Sequence, residues 1–256
     1  MTSPTTDTAG RQDRFGELIE RDDGADVPFY NGRPVQVAGW KWLVIVLAAV
    51  AGFLALVLIP ATGNLALLGT RILFVAIPAV AFIALTDGAW KAIFRPLKGK
   101  DVLTMLAFWA IYMVLSSVVA IIIKSADPGH VTANRATDSV SSASELVFFY
   151  LGTFIQLFGE ELFSIIPFLA IAAVAYQRFK LSRKTSLIIA WLLTALWFGG
   201  AHLPTYDWNF LQCFLVIGLA RLVLTLAYLR TKSILVSFGA HLMIDWGIFT
   251  ATLIFA

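Results

Sequence analysis

Glu160 and Glu161 stand side by side within residues 146–176, a stretch that is otherwise uncharged and mostly apolar. A carboxylate at the centre of a bilayer-spanning helix costs roughly 2.5–3.5 kcal/mol on insertion scales. An adjacent pair costs more unless its members are protonated, paired or bound to a cation. Any fold that this chain adopts must therefore supply compensation at that depth. The strongly polar side chains available at membrane depth in the second half are His202, Arg221, His241 and Asp245. Two carboxylates and two histidines in a membrane point to chemistry rather than packing.

The rest of the chain supports a membrane setting. Of its 256 residues, 59% are hydrophobic and 14% charged, against about 45–50% apolar and about 25% charged in ordinary soluble domains. Residues 1–39 are the exception, with four Arg, seven Asp or Glu and no apolar run. They read as a flexible, slightly acidic cytoplasmic tail. They lack the basic start and apolar core of a signal peptide. The basic pI of about 9.1 therefore comes from the membrane part, residues 40–256. That pattern sets topology and does not suit a nucleic-acid surface, so the bilayer itself is the expected partner. Cys213, the single cysteine, lies in an apolar run and reads as a small core hydrophobe. His130 reads as a solvated loop residue, and Trp40, Trp42, Trp90 and Trp208 read as interface anchors.

A spanning helix needs about 20 mostly apolar residues. Seven candidates follow, near 40–60, 65–86, 102–123, 145–177, 185–202, 208–229 and 233–256. The fold class expected is an all-α polytopic transmembrane helix bundle. The fourth run is too long for one straight span, and Pro167 is expected to kink it. Lys and Arg favour the cytoplasmic side. They cluster in loops 87–101, 178–184 and 230–232 and are sparse or absent in 61–64, 124–144 and 203–207. This alternation predicts a plasma-membrane protein with its N-terminus inside and its C-terminus outside.

The polar residues fall into three groups. His241 and Asp245 are four apart, so they share one helix face. His202 follows Gly199-Gly200, which lets another helix approach closely or lets this one unwind. By the span boundaries His202 lies near an outer helix end, whereas Glu160 and His241 lie nearer the middle. Glu160 and Glu161 point about 100° apart on a helix, so one can face a site while the other orients a neighbour. One carboxylate and two imidazoles suit a zinc site with Glu160, His202 and His241 as ligands. They equally suit a metal-free site with Glu as general base and His as oxyanion donor. No H-E-x-x-H helix and no G-x-S-x-G elbow is present. A proton-coupled transporter with a Glu160–Glu161–Asp245 relay is a different class of explanation, although no internal repeat accompanies it.

At these residues the chain resembles the CPBP family of intramembrane proteases, also called the Abi or CAAX prenyl-protease-like family. Its motifs are E-E-x-x-x-R, F-x-x-x-H and H-x-x-x-N or H-x-x-x-D. Glu160-Glu161 carries the first in its Glu pair only. Phe198 to His202 matches the second, and His241 to Asp245 matches the third in its Asp form. The likeness covers about residues 145–250. It implies an endopeptidase acting on a membrane-embedded or lipidated peptide or protein. Glu160 would activate water with Glu161 assisting. His202 and His241 would bind the water or a Zn2+, or stabilise the oxyanion, and Asp245 would complete that site. Ile165 stands where the motif has Arg. Arg221 on a neighbouring span is the candidate replacement. A catalytically inactive scaffold or immunity protein is the alternative that this departure implies.

Overall fold

The computed structural model describes residues 13–16, 18–21, 23–126, 132, 134–138 and 140–255. Among the described residues there is no strand, and seven helices are long and apolar enough to cross a membrane. They are α1 (Gly39–Leu58), α2 (Asn64–Leu85), α3 (Gly99–Ala126), α4 (Ala143–Gln177), α5 (Arg183–Ala201), α6 (Phe210–Thr231) and α7 (Ile234–Phe255). The seven spans expected from hydropathy are these seven helices, and the fold is that of an all-α, multi-pass membrane protein.

α4 is the axis of the bundle, buried almost continuously from Leu157 to Ala175. α1, α2, α5 and α7 all pack against it, while α3 packs on α6 and α7. At about 52 Å, for 1.5 Å per residue, it far exceeds a hydrocarbon layer of about 30 Å. Pro167 lies inside this helix without ending it. Its ring removes the N–H that the Phe163 carbonyl would otherwise accept. The Trp197 indole of α5 donates to that oxygen instead, at 3.1 Å. A hydrogen bond from a neighbouring helix thus makes the proline tolerable and ties α4 to α5.

α6 contains a π-turn over Cys213–Ile217, and Gly199 of α5 packs on it. A side chain at Gly199 would put its Cβ 2.7 Å from the Cys213 carbonyl oxygen, whereas Gly200 faces open space. Close approach at Gly199 is therefore what the glycine pair provides. α5 continues through both residues to Ala201 without unwinding. Cys213 is free and fully buried, as its apolar surroundings led one to expect.

The N-terminal segment differs from expectation. Its described part, from residue 13 to residue 38, is docked on the bundle. Phe29 is fully buried, with its ring edge-on to Trp42 and Phe82 at 5.7 and 5.8 Å. Trp42 is accordingly a core residue rather than an interface anchor, while Trp40 and Trp208 are exposed. The Gln177 amide donates to the carbonyls of Phe29 and Tyr30. Arg183 pairs with Glu20 and Asp26, and Arg95 pairs with Asp23. The Asp13 carboxylate accepts the first backbone N–H groups of α5, those of Arg183 and Lys184, at 3.0 Å. The segment has no apolar run because a few separated side chains enter the core while its acids meet the basic loop ends. Residues 1–12 and His130 lie outside the described residues.

Two outcomes are expected. Trp197→Phe should destabilise the protein by about 1–3 kcal/mol by leaving the Phe163 carbonyl unsatisfied. Adding Pro167→Ala, which restores a backbone donor, should recover part of that loss in detergent melting curves. The second concerns pH. Burial alone would raise the Glu20 carboxyl, but Arg183 and Lys232 overcome this and hold it below its ordinary value of 4.5. A lowered folded value means that its stabilisation is complete above 4.5 and is lost as pH falls further. Hydrogen exchange of residues 13–38 should accelerate on acidification below that point, and less steeply in Glu20→Gln.

Candidate active site

The two glutamates of α4 divide their roles as their angular offset requires. Glu161 is fully buried and points at α6 and α7. Arg221 of α6, also fully buried, donates to both its oxygens, at 2.8 and 3.3 Å. The Ser237 hydroxyl donates to the same carboxylate, and the guanidinium donates to Ser237 Oγ at 3.0 Å and to Thr225 at 3.2 Å. His241 Nδ1 meets Glu161 Oε1 at 2.9 Å. A carboxylate held by Arg221 accepts here, so Nδ1 carries the hydrogen and the His241 ring is fixed with Nε2 facing away.

Arg221 therefore occupies the electrostatic position that Ile165 leaves vacant. Ile165 itself is fully buried in apolar core. Breaking such a buried pair as Arg221–Glu161 by removing one member costs about 3–5 kcal/mol.

Glu160 faces a cavity of about 340 Å³, lined also by His202, His241, Asp245, Gln156 and Tyr206. Gln156, one turn earlier on α4, donates to Glu160 Oε1 at 3.1 Å. His241 Nε2 lies 3.8 Å from Glu160 Oε2 and 3.8 Å from Asp245 Oδ2. These separations are too long for direct hydrogen bonds, so the Glu160 and Asp245 carboxylates and His241 Nε2 present polar edges to the cavity. All five residues singled out from the sequence are thus accounted for. Glu160, His202, His241 and Asp245 share the cavity, and Glu161 stands behind His241.

His202 reaches the cavity because α4 and α5 are level at this point. Glu160 is about 25 Å along α4 from Gln177, and His202 about 28 Å along α5 from Arg183. The excess length of α4 lies beyond them, where Tyr150 and Thr153 bond Thr250 and Trp246 of α7. The apparent depth mismatch came from centring Glu160 in a single span. His202 Nδ1 donates to the Phe198 carbonyl at 2.8 Å, the only role a carbonyl allows, which leaves Nε2 as its second polar edge. The Phe198 ring lies 4.5 Å from His202 and 6.3 Å from His241.

No three His, Cys, Asp or Glu among the described residues are placed to hold one metal ion. As arranged, Glu160, His202 and His241 do not close on a common point, so no step below is routed through a metal. Several site residues escaped the sequence reading. Gln156 and Ser237 each lie four residues before a motif residue, on the same helix face, so spacing was a usable signal. Tyr206 carried none, because it reaches the cavity from the turn after α5. Burial and the charge of Asp245 push its phenol up to about 12, so it stays protonated at neutral pH. Asn134 donates to its oxygen at 3.3 Å.

These features define a helical membrane protein with a polar glutamate–histidine cavity set among its spans. Residues 142–247, which carry every one of these motif residues, match the family model described as "Rce1-like: Type II CAAX prenyl endopeptidase Rce1-like". The likeness read from three short motifs is thus shown over this segment, and at family level it is to a CAAX-protease-like membrane endopeptidase. Neither the curated proteins nor the solved structures yield a significant match.

Arg221→Met should lower the melting midpoint sharply, because it strands the Glu161 carboxylate in a dry interior. The double variant Arg221→Met/Glu161→Gln should be more stable than Arg221→Met alone, and thermal unfolding of the set in detergent checks the coupling.

Proposed function

We propose that the protein is an intramembrane endopeptidase that hydrolyses a peptide bond of a membrane-embedded or lipidated substrate by glutamate-activated water. The observation that carries this reading is the division of labour in the Glu pair. Arg221, Ser237 and His241 hold Glu161 as a structural anion, while Glu160 faces the cavity that Asp245 also lines, 3.8 Å from His241 Nε2. The family-level match supports the same activity class.

Glu160 takes one proton from a water held between its carboxylate and His241 Nε2. The resulting hydroxide adds to the scissile carbonyl carbon. His202, held through Nδ1–H by Phe198, turns Nε2 toward the oxyanion as its donor. Glu160 then returns its proton to the amide nitrogen, the C–N bond breaks, and an acid and an amine leave. Asp245 orients the water.

Arg221 also weakens the motive for an inactive scaffold, since Glu161 keeps a cationic partner without the motif Arg. The cavity is lined by Asn134, Ala136, Thr205 and Tyr206. These lie at the bundle end opposite Arg95, Arg183 and Arg230. With the basic end cytoplasmic in a plasma membrane, substrate enters from the outer side.

The test is cleavage of a labelled peptide library, prenylated peptides included, in proteoliposomes. Wild type should cleave, and Glu160→Gln should lose about 10²-fold or more of that rate, a typical general-base contribution. A chelator arm separates metal-assisted from glutamate-only catalysis. Cleavage retained in Glu160→Gln would sink this mechanism.

A further inference from the structure

The cavity contains a cation that the proposed chemistry does not use. Arg71 sits on α2, about 10 Å from its Asn64 end. That end carries no basic loop, so topology does not explain an arginine there. Arg71 lines the cavity together with Glu160. Its Nε donates to Gln156 Oε1 at 3.2 Å, and among the described residues no carboxylate pairs with it. Space for the guanidinium is built in: a Cβ added at Gly152 of α4 would stand 1.7 Å from Arg71 Nη1. An arginine at membrane depth, cradled by a glycine and left without a counter-ion, is costly unless a ligand supplies the negative charge.

We infer that Arg71 is the carboxylate-recognition residue of this cavity, taking a peptide carboxylate near the scissile bond. This inference rests on the endopeptidase reading and names a feature of its substrate. With Nε held by Gln156, both Nη groups remain for a planar anion, which a guanidinium grips through two parallel hydrogen bonds. A monoanionic carboxylate fits better than a phosphate dianion, because Glu160 and Asp245 line the same space. One glutamine side chain separates Arg71 from Glu160, through bonds of 3.2 and 3.1 Å. An extended residue spans about 3.3–3.6 Å, so the carboxylate lies only a few residues from the bond cut. The same link gives Arg71 a positioning role. Because its Nε needs an acceptor, Gln156 must turn Oε1 toward it and Nε2 toward Glu160.

The test is binding, so that it does not depend on turnover. Full-length Glu160→Gln protein in detergent micelles is titrated, by fluorescence anisotropy, with short apolar peptides labelled at the N-terminus. One peptide ends in a free carboxylate, one is its C-terminal amide, and one is an amide carrying an Asp side chain near the end. Either carboxylate peptide should bind about tenfold tighter than the plain amide, the ratio expected of one charge-assisted contact. Adding Arg71→Gln should bring that ratio to about one. Gly152→Ala, which displaces the guanidinium while keeping its charge, should lower it too, and it decides the matter if Arg71→Gln does not fold. Equal binding of all three peptides, no binding by any, or a preference that survives both substitutions would overturn the inference. A carboxylate preference in a protein that cleaves nothing would keep Arg71 and remove the peptidase. Cleavage without such a preference would do the reverse.

Discussion

The bond between Arg221 and Glu161 is the constraint around which the site is organised. Neither group tolerates the bundle interior alone. Together, with Ser237 and Thr225 taking further hydrogen bonds, they form a satisfied polar knot joining α4, α6 and α7. Such a knot stabilises less than well-packed apolar residues would, since both ions give up their hydration. What it supplies is geometry. His241 Nδ1 is bound to an oxygen that cannot move, so the other edge of the ring is aimed at the cavity. Glu160, the next residue on α4, is turned away from the knot and left free to act.

Support for the site extends well beyond that knot. Pro167 would weaken α4 just beyond the glutamate pair, yet the Trp197 indole fills the missing hydrogen bond and ties in α5, which carries His202. Gly199 lets the π-turn of α6 come close to the same helix. The histidine of the second motif is therefore placed by a proline one helix away and a glycine one turn earlier. Each is a local defect that a neighbouring helix makes good.

The bundle is polarised between its ends. At one end Arg95, Arg183, Arg230 and Lys232 gather, and Asp13, Glu20, Asp23 and Asp26 lie across them. This segment neutralises much of the loop charge from which topology was read. At the other end, weakly basic loops form the mouth of the cavity. Burial removes Lys232 from water, and its ammonium is held below its ordinary value even with Glu20 and Asp23 nearby. The charge from which a topology is read and the charge that serves the fold are here the same residues.

The helix count and the site membership were legible in the sequence because hydropathy and i, i+4 spacing are local properties. Seven apolar runs became seven helices, and residues 142–247 carry the likeness that three motifs suggested. The sequence also showed that the Glu pair needed compensation, because a bilayer does not solvate an unpaired carboxylate. Which cation serves, and which glutamate it takes, was decided by tertiary structure. Arg221 is sixty residues from Glu161, and only the folded bundle, in which α5 and α7 pack on both α4 and α6, brings them together. The same holds for the docked N-terminal segment. Its few apolar side chains show no periodicity, and its acids find partners only where three distant loop ends converge. Local pattern reports what a segment must satisfy, and the fold determines who satisfies it.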